Sequence, residues 1–196
     1  HFYSILLMPK ETRKQEIIRV AAKLFKSKGY SAITMRDLAK AMDIKAASLY
    51  NHISSKQAIL QDIVIAIAED FTIGMQKIID SDTNSIGRLE QIIGLHVKIA
   101  TENTDGLAAL NSDWMHLENK LEYYLKLRND YEANYLRIIE DGIANNELKS
   151  VKPDVLMFSM LSTLRSLYLW LPKKEIVNQQ VLRESLSQIL IKGINK

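Results

Sequence analysis

Apolar residues recur every three to four positions along most of the chain, which is the spacing of one face of an α-helix. Glycine and proline, which weaken or end helices, number only 7 and 3 among the 196 residues. The pattern therefore predicts an all-α fold of about nine helices with short connections. The longer helices are predicted over residues 10–28, 55–80, 89–100, 118–145, 153–171 and 176–192.

A different pattern occupies residues 34–56, between the first two of these helices. It predicts two short helices, over about 34–41 and 45–51, joined by a tight turn at residues 42–44. The second helix contains a single large apolar residue, Leu49, and is too short and too polar to be stable alone in water. Neighbouring helices must support it while its polar face points outward. This arrangement is typical of a helix-turn-helix, whose second helix enters the major groove of DNA.

The charge distribution separates the same region from the rest of the chain. Residues 1–56 contain 11 Lys and Arg against four Asp and Glu, a net charge of +7, whereas residues 57–196 contain 15 against 19, a net charge of −4. The basic part is suited to a polyanion and the remainder is not. We therefore expect a DNA-binding domain over residues 9–56 and a second helical domain over 57–196. Residue 1 is not Met, and we interpret residues 1–8 as a cloning remnant or a truncated start, with Met8 as a candidate first residue.

Several classes of function find no support in the sequence. Cysteine is absent and the four His are scattered, so we expect no disulfide, metal site or cofactor. We find no nucleophile–base pair and no glycine-rich phosphate loop, and we do not expect an enzyme. No apolar run approaches the ~20 residues needed to span a bilayer, so we expect a cytoplasmic protein without a membrane partner.

The most specific motif in the basic region is Leu49-Tyr50-x-His52 followed by Ser55-Lys56. Together with the preceding helix and the first helix of the helix-turn-helix, it resembles the N-terminal domain of the TetR/AcrR transcriptional regulators over about 50 residues. The resemblance implies an all-helical homodimeric repressor that binds double-stranded operator DNA through its N-terminal domain. It also implies a larger C-terminal domain for a small effector and for dimerisation.

Two residues depart from the family pattern. Asp43 stands where the family usually has Gly in the turn, and Ile53 replaces a Phe. We expect Asp43 to adopt a left-handed backbone conformation, which Asp tolerates better than most residues other than glycine. The apolar exchange at Ile53 should preserve the packing.

The resemblance implies nine DNA-contacting residues by their positions in the motif. Those expected at phosphates are Thr34, Arg36, Tyr50, His52 and Lys56. Those expected at base edges are Lys45, Ala46 and Ser48, and Asn51 is expected at either. Two alternatives remain open at this stage: Tyr50 packs in the core with only its hydroxyl exposed, or His52 caps a helix or packs inside.

Polar residues interrupt the apolar helix faces of the C-terminal domain at His96, Arg128 and Arg165. A buried Arg needs an anion or several acceptors, which a ligand carboxylate or phosphate would supply. The predicted effector site joins these three residues to an apolar wall of Phe71, Trp114, Tyr131 and Tyr135. The alternatives are that His96 is a hydrogen-bonded core residue and that the arginines pair with Asp or Glu inside the protein.

The segment from residue 131 to 170 is weakly similar to a subgroup of the same family that includes sensors of acyl-CoA thioesters. That similarity implies an acyl-CoA thioester or another amphipathic acid as the effector, although Asn146 replaces a common Gly. The function expected is thus a ligand-responsive repressor. The rival interpretations are a helical ligand-binding or adaptor protein without operator binding and, less favoured, an enzyme on a helical scaffold.

A strip of small polar residues on the helix beginning at Pro153 predicts a close helix–helix contact. The strip consists of Ser159, Ser162, Thr163 and Ser166. The last helix adds the apolar residues Leu182, Leu186 and Ile189. Helices of these two kinds from two protomers would form a four-helix dimer interface. The alternative is that the strip packs inside the monomer.

Overall fold

The computed structural model describes residues 11–174 and 177–193. Within these ranges the chain forms α-helices and short 3-10 turns without a β-strand, and the expected all-α fold is confirmed. The helices are α1 Arg13–Lys28, α2 Met35–Ala41, α3 Ala46–Tyr50, α4 Lys56–Ile79, α5 Ser85–Glu102, α6 Thr104–Ser112, α7 Leu121–Ala144, α8 Pro153–Arg165, α9 Leu167–Trp170 and α10 Gln179–Lys192. Because α9 continues α8 after a short break, the described part contains the nine helical rods expected from the sequence.

Helices α1, α2 and α3 form the N-terminal bundle. Thr12 and Thr34 begin α1 and α2 with capping boxes, in which each hydroxyl accepts a hydrogen bond from the third residue of its helix. Leu49, the single large apolar residue of α3, is fully buried and secures this five-residue helix to its neighbours. Asp43 in the turn has a φ of 54°, so the expected left-handed conformation is confirmed.

Helix α4 lies at the centre of the molecule and packs against α1, α5, α6 and α7. Ser55 caps its first turn, and its 24 residues make a rod of about 36 Å. Gly74 allows α5 to approach closely, because a Cβ at this position would lie 2.5 Å from Leu95 Cδ1. The same helix therefore belongs to the N-terminal bundle at one end and to the C-terminal domain over the rest of its length.

The connections differ from the sequence expectation in three places. Asn103 alone separates α5 from α6, because it ends one helix and caps the next. Two 3-10 turns, Trp114–His116 and Glu118–Lys120, precede α7, which begins at Leu121 rather than at 118. The single helix predicted over 153–171 is broken at Ser166. The predicted start of the last helix at residue 176 lies outside the described residues.

One helical stretch of the described chain, Pro153–Lys173, is long and apolar enough to cross a membrane by length and composition. This corrects the expectation that no apolar run approaches that length. Such a single stretch is weak support for a membrane span, since core helices meet the same criteria. About a third of it is buried in the protomer, where Leu161 and Leu164 belong to the core.

Candidate functional site

The predicted DNA-contacting residues lie on α2 and α3, in the residues directly next to these two helices, and at the first residue of α4. None of their side chains is buried. Tyr50 is 54% exposed, which excludes the alternative that it packs in the core. His52 is exposed, so the alternative of a packed His52 is also excluded. The side chain of Ala46 is half-buried, and those of Lys45 and Ser48 on either side of it are exposed. The short helix thus shows polar groups to solvent over its outer face.

Thr34 and Lys56 also make contacts inside the protein. The Thr34 hydroxyl donates to Asp37 Oδ2 at 2.6 Å, and this hydrogen bond is the main reason why the pKa of Asp37 is lowered. Lys56 Nζ donates to the carbonyl oxygen of Tyr30 at 3.0 Å and lies 4.1 Å from the centre of the Tyr30 ring. Lys56 therefore joins the first turn of α4 to the connection between α1 and α2.

A cavity of about 240 Å³ lies between α4, α5, α6, α7 and α8. Six of the seven predicted effector residues line it, namely Phe71, His96, Trp114, Arg128, Tyr131 and Arg165. Tyr135 does not. It is fully buried behind the cavity, where its hydroxyl donates to Met160 Sδ at 3.3 Å. The remaining lining residues are Ala68, Leu107, Leu110, Asn111 and Tyr124.

Two arginines in the cavity wall share one carboxylate. Arg128 Nε donates to Glu132 Oε1 at 3.1 Å, and Arg165 Nη2 donates to the same oxygen at 2.6 Å. Burial tends to raise the pKa of Glu132, but hydrogen bonds and charges from Arg165 and Arg128 outweigh it and hold that pKa below its usual value. The internal pairing considered as an alternative for these arginines is therefore present. The single carboxylate of Glu132 neutralises only one of the two positive charges of Arg128 and Arg165.

His96 and Tyr131 form a buried pair beside these charges. His96 Nε2 lies 2.9 Å from Tyr131 Oη, and the ring of Phe71 packs 4.7 Å from the His96 ring. Burial, with a smaller contribution from the charge of Arg165, lowers the pKa of His96 to about 3. Burial raises the pKa of Tyr131. Both side chains are therefore uncharged at neutral pH.

Sequence reasoning missed Glu132 and the contribution of α6. Glu132 follows Arg128 by four residues, a spacing that often pairs charges on a helix, and this signal was available. Its second partner, Arg165, is 33 residues away, and no sequence signal indicated that contact. Leu107, Leu110 and Asn111 of α6 carry no comparable signal, because a segment this short has no sustained periodicity.

The cavity is connected to the N-terminal bundle through α6 and the 3-10 turn Trp114–His116. Trp114 lines the cavity, and His116 at the other end of the turn stacks on Tyr30 with a ring separation of 5.3 Å. In α6, Asp105 accepts a hydrogen bond from Lys26 of α1 at 2.7 Å. Elements that form the cavity wall thus also contact α1 and the connection between α1 and α2 in the N-terminal bundle.

The predicted dimer strip lies on the surface of the protomer. Ser159, Ser162, Thr163 and Ser166 are all exposed, which excludes the alternative that they pack inside the monomer. The hydroxyls of Thr163 and Ser166 donate to carbonyl oxygens of their own helix, which leaves their outer surface weakly polar.

Large apolar side chains on both α8 and α10 are also exposed. Phe158 on α8 and Ile189 on α10 are each 72% exposed, and Val155 and Val181 are more than half exposed. Leu182 is buried inside the protomer and Leu186 is half-buried, so of the three residues predicted on α10 only Ile189 is fully presented to a partner.

Comparison with family models identifies both halves of the chain. The model described as "Bacterial regulatory proteins, tetR family" matches residues 17–63. The model described as "Tetracyclin repressor-like, C-terminal domain" matches residues 82–194, which is more than half of the chain. The helix-turn-helix falls within the first match and most of the cavity within the second.

Individual proteins are similar over much of their length. The HTH-type transcriptional repressor KstR2 of Rhodococcus jostii is 25% identical over 143 residues, covering 72% of this chain and 70% of the relative. Its counterpart from Mycobacterium tuberculosis, a ketosteroid transcriptional regulator, has a structure that aligns with a TM-score of 0.86 at 21% identity, covering 96% and 97% of the two chains. The TetR family regulator PfmR of Thermus thermophilus aligns with a TM-score of 0.76 at 26% identity, covering 89% and 96%.

Proposed function

The chain belongs to the TetR family of bacterial regulatory proteins, and we propose that it is a dimeric repressor that a small amphipathic acid releases from its operator. The observation that carries this proposal is the position of α4. Its first turn contains Lys56, a predicted DNA contact that bonds the connection between α1 and α2, and Phe71 in its middle forms part of the cavity wall. A ligand that repacks Phe71 acts on the helix that supports the N-terminal bundle.

The DNA-binding step uses the exposed outer face of α3 and its surroundings. Two α3 helices of a dimer would enter successive major grooves of a roughly palindromic site about 34 Å apart. Lys45 is suited to a guanine edge, whereas Tyr50 and His52 are suited to the phosphate backbone. The surplus of seven positive charges over residues 1–56 adds affinity that depends on salt and not on sequence.

The operator proposal is tested by fluorescence anisotropy with the intergenic DNA upstream of the protein's own gene. At ~150 mM salt, where non-specific binding is weak, we expect that DNA to bind far more tightly than a scrambled duplex. Lys45→Ala combined with Tyr50→Ala should abolish the preference. Equal binding of both duplexes would reject operator binding, and repression that survives the double substitution in cells would favour the adaptor interpretation.

The effector proposal rests on the charge of the cavity. Arg128 and Arg165 contribute two positive charges, Glu132 cancels one, and the His96–Tyr131 pair contributes none. One positive charge remains in an enclosure whose wall combines polar groups with apolar and aromatic side chains, which favours a ligand with a negative charge and an apolar body. The cavity of about 240 Å³ is smaller than the ~300–1,000 Å³ of typical ligand pockets, so it suits a compact acid. If the acid arrives as a CoA thioester, only its acyl part would lie inside.

The effector proposal is tested by adding free acids and their CoA thioesters to the protein–operator complex. We expect a subset of these compounds to release the DNA, and mass spectrometry of ligand that copurifies with the native protein should identify an acid of the same class. Arg128→Gln should weaken the response, while Arg137→Gln, an exposed position on the same helix, should leave it intact. If no acid or thioester of any chain length releases the DNA, the effector class is wrong.

A further inference from the structure

The His96–Tyr131 pair is placed in the cavity wall but has no role in the charge balance just described. Both side chains are buried, and the two are joined by a hydrogen bond of 2.9 Å between Nε2 and Oη. Their surroundings are largely aromatic, since Phe71 packs against both rings. A polar pair in such surroundings is expected to have every hydrogen in a hydrogen bond.

Counting hydrogens shows that this pair cannot satisfy itself. A neutral His has one N–H and a Tyr has one O–H, so the pair has two donors and only one mutual hydrogen bond. If Tyr131 donates to Nε2, the N–H of His96 is at Nδ1 and remains free. If Nε2 donates to Tyr131, the phenol hydrogen remains free. One donor is left over in either tautomer.

No other side chain of the described residues accepts this remaining hydrogen. Arg128 and Arg165 are donors only and cannot accept it. Asn111 also lines the cavity, but its amide bonds the carbonyl oxygen of Leu107 at 2.8 Å and makes no hydrogen bond to the pair. One donor of the pair therefore lacks an acceptor among the described residues, in a cavity wall that also contains the two arginines, which attract a negative charge.

We propose that the effector carries, apart from its negative charge, an uncharged carbonyl oxygen that accepts the hydrogen left over on the His96–Tyr131 pair. The arginines hold the anionic group, the pair holds the carbonyl and the aromatic rings hold the carbon skeleton between them. The ligand class is thus an oxo acid, in which a ketone oxygen is separate from the acid group. This inference rests on the proposed effector role of the cavity and narrows its chemistry.

The wild-type protein tests the proposal directly. Octanoic acid and its four derivatives with a single ketone at carbon 4, 5, 6 or 7 are titrated into the full chain by calorimetry. A ketone makes the ligand more polar and by itself weakens binding to an apolar cavity. We expect at least one oxo acid to bind about tenfold more tightly than octanoic acid, the equivalent of about 1.4 kcal/mol for a satisfied donor. If none of the four binds more tightly, including if none binds at all, the proposal is wrong and water satisfies the donor.

Substitutions of His96 and Tyr131 test whether this pair causes the preference for the oxo acid over octanoic acid. Tyr131→Phe and His96→Leu each leave one donor, so each single variant should keep part of the preference. The double variant His96→Leu/Tyr131→Phe has no donor and should lose the preference for the oxo acid. Its affinity for the oxo acid should then be equal to or lower than its affinity for octanoic acid. A preference that survives in the folded double variant would overturn the proposal. If the double variant does not fold, the carbonyl stretching frequency of the bound ¹³C-labelled oxo acid decides, because a hydrogen bond lowers it and an unbonded carbonyl leaves it unchanged.

Release of operator DNA is measured separately, so the two proposals can fail independently. If octanoic acid and the oxo acids release DNA equally and bind equally, the effector function stands and the carbonyl inference falls. If an oxo acid is preferred in binding but leaves the operator complex intact, the carbonyl inference stands and the effector function falls.

Discussion

Asp43 keeps the turn of the helix-turn-helix in a backbone conformation that suits glycine. Its φ of 54° lies in the left-handed region, where a side chain generally costs about 1 kcal/mol or more and Asp somewhat less. The residue is exposed and leaves the packing of Leu49 undisturbed. The family turn is thus retained at a small cost in stability.

Substitution at this position should separate backbone strain from side-chain chemistry. We expect Asp43→Gly to raise the free energy of unfolding by about 0.5 kcal/mol and Asp43→Ala to lower it by about 1 kcal/mol, as measured by urea denaturation. Asp82→Ala provides the control, since Asp82 is an exposed loop residue with an ordinary φ. Equal stability of the Gly and Ala variants would contradict the strain interpretation.

Glu132 determines how much positive charge the cavity shows to a ligand. Glu132→Gln should lower the stability of the ligand-free protein by about 1–3 kcal/mol, because it leaves two half-buried arginines without a carboxylate. It should also tighten the binding of small anions and reduce discrimination among them. Thermal unfolding with and without an acid measures both effects, and Glu140→Gln, exposed on the same helix, serves as the control.

The pH dependence of this contribution has a definite sign. Because the pKa of Glu132 is lowered in the folded protein, its ion pairs stabilise the fold above the unfolded pKa of about 4.3 and are lost as the pH falls through the folded value. Wild type and Glu132→Gln should therefore converge in stability as the medium is acidified. If the difference in stability does not shrink at any pH down to the acid unfolding of the protein, the effect of Glu132 does not come from its charge.

Helix α6, like α4, contacts both the cavity and the N-terminal bundle. Leu107, Leu110 and Asn111 line the cavity, and Asp105 in the first turn pairs with Lys26 of α1. The pair is partly exposed, so its direct effect on stability is small. Its position matters more, since a shift of α6 on ligand binding would pull on α1 through this contact.

We expect Asp105→Asn to weaken the coupling between the effector and the operator. In the wild type, we expect effector to lower operator affinity by a factor that corresponds to the ~1–3 kcal/mol typical of coupling between two sites. In Asp105→Asn this factor should fall several-fold, while the affinity for effector in the absence of DNA stays the same. Exchange of the two charges, Lys26→Asp with Asp105→Lys, should restore part of the factor. An unchanged factor in Asp105→Asn would show that the ion pair transmits nothing.

The elements predicted correctly from sequence are those with a long apolar period or a clear capping residue. Helix α4 has both, since Ser55 caps a stripe that runs through Phe71. Polar interruptions in such stripes revealed His96, Arg128 and Arg165, and all three line the cavity. The break at Ser166 and the two 3-10 turns were missed because packing between helices, and not local periodicity, determines them. The shared carboxylate of Glu132 was missed because it depends on a contact between α7 and α8.

At the scale of the whole molecule, the exposed faces of α8 and α10 need a partner. Helix α8 presents Phe158 and Val155 in addition to its strip of small residues, and α10 presents Ile189 and Val181; exposed apolar surface of this extent is uncommon on a monomer. A second copy would cover it by a two-fold contact. The proposed dimer would also give the two α3 helices a fixed separation.

Phe158→Asp should convert the dimer to a monomer, because it would place two charges inside the apolar interface. We expect the monomer mass by light scattering at micromolar concentration, and operator affinity at least a hundredfold weaker because only one half-site is read at a time. Ile73→Asp is the matched control, since Ile73 on α4 is 54% exposed and lies outside this face. A dimeric Phe158→Asp variant would place the interface elsewhere.

The length of α4 between the cavity and the DNA-facing bundle amplifies motion. Fifteen residues separate Phe71 from Lys56, a distance of about 22 Å along the helix axis. A tilt of about 5° centred on Phe71 would move the N-terminal end of α4 by about 2 Å, and the opposite movements in a dimer would add to about 4 Å. Hydrogen bonds to bases and phosphates tolerate only a few tenths of an ångström. In the proposed mechanism, a slight displacement of Phe71 in each protomer would therefore be enough to move the two α3 helices away from the positions at which they fit the major grooves.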